Sequence, residues 1–194
     1  VKSVIRIVTK KALGDGFGFN NRFSTRYRYK WTVLDQFNFN YRKGGFDLSG
    51  MLFGYDGHMG EDKAVYQNTY LDKHWNQTST LRGRGRDQDL SAMLSMNYQL
   101  GENHVMGVRY DYDRVPKNGY TLYMPTTVTQ DSQLYEESVS SSGMDKRATD
   151  QRLNIYYSGK VNDWSIDFNA DGLWNKNNTS SLADESTRYA DGGS

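Results

Sequence analysis

The stretch DLSAMLSMNYQLGENHVMGVRYDYD, residues 89–113, places an apolar or aromatic residue at nearly every second position, pauses at residues 101–103, and resumes. A period of two is the repeat of a β-strand, whose successive side chains point to opposite faces. One face of the first run carries Leu90, Ala92, Leu94, Met96, Tyr98 and Leu100; the other carries Asp89, Ser91, Met93, Ser95, Asn97 and Gln99. After the pause, Met106, Val108, Tyr110 and Tyr112 oppose Val105, Gly107, Arg109, Asp111 and Asp113. The expectation is an antiparallel hairpin with one apolar and one polar side.

The same rhythm recurs on both sides of this hairpin. Phe17, Phe19 and Phe23 fall in step, then Val33, Phe37, Phe39 and Tyr41, then Phe46, Leu48 and Leu52. Further on, Leu153, Ile155, Tyr157 and Val161 align, followed by Trp164, Ile166, Phe168 and Ala170 opposite Ser165, Asp167, Asn169 and Asp171. About seven strands are therefore expected, in an all-β antiparallel up-and-down meander.

Composition narrows what that sheet faces. Of 194 residues only 36% are hydrophobic, yet there are 15 Tyr, 8 Phe and 4 Trp. Mean hydropathy is −0.84, low for a packed core. A net charge of +1 gives no strong drive towards nucleic acid. Without cysteine there is no disulfide framework, thiolate metal site or cysteine nucleophile. A strand crosses a bilayer with about 9–11 residues, of which every second is apolar, and the runs above have that length. One side of the ribbon is expected to meet hydrocarbon and the other water, as in a segment of a large transmembrane β-barrel.

Connections divide into two kinds. Residues 43–45, 101–103 and 162–163 are tight and rich in Gly, Asn and Asp, which tolerate hairpin turns. Residues 56–80 and 114–148 are long and polar and are expected as loops, with another loop after Trp174. The short turn near Tyr29 is the exception on that side. In bacterial outer-membrane barrels tight turns face the periplasm and long loops the exterior. Aromatics near the strand ends fit interfacial girdles: Tyr41, Phe46, Tyr98 and Trp164 by the tight turns, and Tyr27, Tyr29, Trp31, Tyr55, Tyr110, Tyr112 and Trp174 at the other end.

The opening SVIRIVTKK, Ser3 to Lys11, resembles the plug–barrel junction of TonB-dependent outer-membrane receptors, with Ile5, Ile7, Val8, Thr9, Lys10 and Lys11 on the pattern. Arg6 and Ser3 depart from it. The hairpin that supplies Asn40, Tyr41, Arg42, Gly44, Phe46, Asp47, Leu48, Gly50 and Tyr55 is similar to the Bacteroidetes outer-membrane β-barrel family. The resemblance implies that residues 1–13 end a plug domain and that residues 14–194 begin an incomplete barrel. It also implies a bacterial outer-membrane location, energy-coupled uptake of a nutrient ligand, and partners in lipid, lipopolysaccharide, the chain's own plug and, through it, an inner-membrane energising complex. Seven is an odd strand number, whereas single-chain bacterial barrels close with an even one, so a segment is expected. An unclosed edge in lipid would leave unpaired amides costing several kcal/mol each.

Three groups of residues carry chemistry. Arg82, Arg84 and Arg86 share a strand face with Leu90 and Leu94, which puts three guanidiniums at lipopolysaccharide phosphate height. The competing reading is a solvated extension whose arginines pair with nearby acids, and a bulge at Gly83 or Gly85 would turn them inward. Asp56, His58, Glu61 and Asp62 form an oxygen-rich segment of the kind that holds calcium, without EF-hand spacing. Arg109, Asp111, Asp113, Asp167, Asn169 and Asp171 are expected to line the wet lumen. No catalytic or cofactor constellation is expected: His58, His74 and His104 match no hydrolase pattern. The rival readings are a secreted β-sandwich that stacks glycans on its aromatics, and an outer-membrane barrel enzyme.

Overall fold

A computed structural model describes residues 14–191. The strands are β1 (Gly16–Tyr27), β2 (Trp31–Lys43), β3 (Phe46–Tyr70), β4 (His74–Leu100), β5 (His104–Gln130), β6 (Gln133–Val161) and β7 (Trp164–Tyr189). They form one seven-stranded sheet in chain order, each strand antiparallel to the next, with β1 and β7 at its edges. This is the up-and-down meander read from the alternation. The junction motif at residues 3–11 lies outside the described residues.

The register explains the two faces. One row across the sheet runs Phe17–Tyr41–Leu48–Met96–Val108–Ile155–Ala170, and every member is apolar or aromatic. The next row, one residue along, runs Gly18–Asn40–Ser49–Ser95–Arg109–Asn154–Asp171. Because the pleat alternates, adjacent rows point to opposite sides. Among the described residues no hydrophobic side chain is buried; Leu94 is 42% exposed and Phe168 55%. The sheet thus has no core of its own. On β4 the apolar band spans residues 90–100, close to the ~9–11 residues of a bilayer crossing.

The turns at one end match expectation. They occupy residues 44–45, 101–103 and 162–163, and Gly44, Gly101 and Asn162 take φ of 58°, 67° and 53°. The other end does not match. Residues 56–80 and 114–148 are not loops: β3 and β4 continue to a turn at residues 71–73, and β5 and β6 continue to a turn at residues 131–132. The stretch after Trp174 is likewise strand, up to Tyr189. The asymmetry between the two ends therefore lies in strand length: 12 and 13 residues in β1 and β2 against 25 to 29 in β3 to β7. Beyond the band a strand needs ladder partners but no apolar face, so its residues lose the contrast on which the sequence reading depends.

Strand β5 carries one extra residue relative to both neighbours. Its register shifts against β4 between Gln88 and Leu90, and against β6 between Val115 and Asn118. Pro116 sits in this bulge, where a residue without an N–H is tolerated. Below it the even-numbered residues of β5 share the apolar face; above it the odd-numbered ones do.

Candidate functional site

The polar rows bring the expected wall residues onto one face. Arg109 is level with Asn154 and Asp171, Asp111 with Arg152, and Asp113 with Asp150; Asn169 and Asp167 pair with Tyr156 and Ser158. Asn154 Nδ2 donates to Asn169 Oδ1 at 2.6 Å and to Asp171 Oδ1 at 2.7 Å. Arg109 grips Asp111 with Nε and Nη2, both at 2.8 Å. On this polar face Arg109 and Arg152 stand among a larger number of carboxylates: Asp111, Asp113, Asp150, Asp167 and Asp171.

The arginine row stands just above the apolar band. Pairing between β3 and β4 is uninterrupted from Phe46↔Tyr98 to Tyr70↔His74, so no bulge at Gly83 or Gly85 turns the arginines over. Arg82, Arg84 and Arg86 face the same side as Leu90, as the alternation predicts. Each has an acid nearby. Arg84 Nη2 donates to both Asp62 oxygens, at 2.9 and 3.0 Å, and Arg86 donates from Nε and Nη2 to Asp56 at 2.9 and 2.6 Å. Arg82 Nε is 3.7 Å from Asp62. Hydrogen bonding to Arg86 holds the Asp56 carboxyl below its ordinary range, against a smaller opposing effect of burial. Hydrogen bonding to Asp62 raises the pKa of Arg84, and hydrogen bonding to Asp56 that of Arg86.

Two neighbours escape a motif search. The ring of Tyr29, from the short β1–β2 turn, lies over Gly60, where a Cβ would collide with it. The Arg84 guanidinium carbon then sits 4.8 Å from the ring centroid. Lys30 and Lys117 border the same shallow recess of about 460 Å³, together with Arg84, Arg86 and Asp145. Only the register connects β1–β2, β4 and β5 here; a turn exception at Tyr29 is its one trace in the sequence.

The oxygen-rich segment does not gather round a cation. On β3, Asp56, His58 and Asp62 point to one side and Glu61 to the other. Asp56 and Asp62 are taken by arginines and Glu61 pairs with Lys63. Among the described residues no group of three or more His, Cys, Asp or Glu is placed to hold a metal.

The three histidines lie apart. His58 Nδ1 is 3.1 Å from the Trp31 carbonyl, His74 Nε2 3.3 Å from Asn68 Oδ1, and His104 Nδ1 2.7 Å from the Tyr157 hydroxyl. None of these three ring contacts is to a serine or threonine hydroxyl.

Compared with protein-family models and with curated proteins, the sequence matches none.

Proposed function

We propose that the chain forms part of the wall of a bacterial outer-membrane receptor barrel of the TonB-dependent kind, serving energy-coupled uptake of a nutrient ligand. One observation carries this reading: a band of apolar and aromatic residues, continuous from β1 to β7 in the row through Leu48, on one side of a sheet that has no packing partner among the described residues. A water-exposed face of that size is unusual for a soluble domain, whereas acyl chains would cover it. The long strands β3 to β7 would then rise past the bilayer as a rigid rampart at the cell surface, and the polar rows with Arg109 and Asp171 would face plug and solute. No catalytic role is assigned to any residue. The recess of Lys30, Arg84, Arg86 and Lys117 would stand at phosphate height, where lipopolysaccharide competes with Asp56 and Asp62 for the guanidiniums. The rival β-sandwich requires two packed sheets, and the described residues form one.

The test sets Leu94→Arg against Ser95→Arg, adjacent residues on opposite faces. In lipid vesicles Leu94→Arg is expected to lower folding stability by about 2–4 kcal/mol, as for a cation placed at the bilayer midplane, and Ser95→Arg by far less. Equal effects of the two substitutions would defeat the membrane reading.

A further inference from the structure

The β3–β4 hairpin ends far above the apolar band. Gly54 pairs with Leu90 at the upper margin, and β3 then continues to Tyr70. At ~3.3 Å per residue that is about 50 Å of strand, or roughly 35 Å of height at a ~45° tilt. Aromatics that anchor a barrel sit at headgroup level. Those on this tip stand well beyond it and need another explanation.

They form an ordered ladder on one face. Tyr66, Asn68 and Tyr70 lie opposite Thr78, Asn76 and His74, in pairs Tyr66↔Thr78, Asn68↔Asn76 and Tyr70↔His74. The unbroken β3–β4 register makes this the side that carries Leu90 and Leu94. Tyr70 stacks on His74 with centroids 4.4 Å apart and planes 3° from parallel, and remains 75% exposed; Tyr66 is 70% exposed. Between the rings the carboxamides are pre-set. Asn76 Nδ2 donates to Asn68 Oδ1 at 2.8 Å, Thr78 Oγ1 donates to Asn76 Oδ1 at 3.3 Å, and His74 Nε2 is 3.3 Å from Asn68 Oδ1. Asn68 Oδ1 thus has two partners and Asn76 Oδ1 one, while among the described residues Asn68 Nδ2 has no acceptor. From residue 66 to residue 80 the formal charges are Asp72 and Lys73, both in the turn.

The chemistry selects a ligand. An anion would need cations that this face lacks, and an apolar segment would need an enclosed groove, whereas the ladder is open. Flat rings paired with free amide donors suit a ring that is apolar on its faces and rich in hydroxyls at its edges. We propose that the outward face of this tip binds a neutral saccharide, with a sugar ring on Tyr70 or Tyr66 and its hydroxyls accepting from Asn68 and Asn76. Its orientation rests on the outer-membrane reading: the ladder looks towards the glycan layer around the barrel, not into the lumen. The sugar could belong to a lipid-linked surface chain or be a free oligosaccharide.

The experiment measures binding to the whole chain in detergent by calorimetry and saturation-transfer NMR. The probes are maltoheptaose, the oligosaccharide released from lipopolysaccharide by mild acid, and intact lipopolysaccharide. At least one lipid-free sugar is expected to bind, the released oligosaccharide alone marking a surface-glycan source and maltoheptaose a free one. The double variant Tyr66→Ala/Tyr70→Ala is expected to weaken that binding about tenfold or more, and Asn68→Leu to weaken it with both rings intact. Trp75→Phe, on the opposite face, leaves it unchanged. A retained far-UV β-spectrum shows that each variant has folded. Binding of neither lipid-free sugar, binding of intact lipopolysaccharide alone, or full affinity in the double variant overturns the proposal. If instead Leu94→Arg and Ser95→Arg behave alike in vesicles, the membrane reading falls and sugar binding is judged separately.

Discussion

Arg84 is held from two sides: its guanidinium carbon lies 4.8 Å from the centroid of the Tyr29 ring, and its Nη2 donates to both oxygens of Asp62. The turn at residues 28–30 is short enough to end at this height, and Gly60 leaves the space its tyrosine needs. The edge hairpin is thereby fastened to β4 across the whole width of β3.

That fastening has a measurable strength. In a double-mutant cycle of Tyr29→Leu and Arg84→Met, the double variant is expected to lose less stability than the two single variants together, as for a cation held over a ring. Introducing Gly60→Val into both arms should abolish that difference, because the ring is then displaced. Urea unfolding of the lipid-reconstituted chain gives the four stabilities, and additive single effects would contradict the contact.

The Asp56–Arg86 pair predicts a pH dependence. Asp56 has a folded-state pKa below its unfolded value, chiefly through its hydrogen bond to Arg86. Its contribution to stability is therefore complete above the unfolded carboxylate value of about 3.9 and disappears as pH falls through the folded one. The stability gap between the chain and its Asp56→Asn variant should be constant near neutrality and close in acid. A gap that persists unchanged to about pH 2 would remove the pair from the account.

The turn at residues 131–132 offers a gain. Asp131 and Ser132 both adopt positive φ, 48° and 70°, which costs a residue with a Cβ roughly 1 kcal/mol. Ser132→Gly should raise stability by up to about that amount. Asp131→Gly should gain less or lose, because Asp131 Oδ1 accepts from the His74 N–H at 2.9 Å. Comparison of urea midpoints ranks the two.

The contrast between band and rampart explains what could be read from residues alone. Leu90 to Leu100 declare a strand because one side must be apolar and the other polar. Glu61, Asp62, Lys63, Gln67 and Asn68 declare nothing, since neither side of β3 is consistently apolar there and only the ladder partners matter. Those partners are set by register, which no local window contains. Arg82, Arg84 and Arg86 were recognisable as one face by counting in twos. That Asp62 and Asp56 would meet them depends on a turn at residues 71–73 that fixes which residue of β3 lies beside which of β4. The tip ladder was hidden for the same reason: Tyr66, Asn68 and Tyr70 alternate correctly, but within a segment whose polarity suggested a loop.

The extra residue beside Pro116 makes β5 a splice of two half-strands set out of phase. Tyr112 below the joint and Thr121 above it look the same way despite their opposite parity. Remove one residue at the joint and the upper half turns over, carrying Leu122 and Met124 to the side of the apolar band and Tyr123 to the polar side. Lengthening or trimming the part beyond the joint by pairs would leave the apolar-banded half in place. The seam thus lets the exposed half of the strand vary while the half below it keeps its phase.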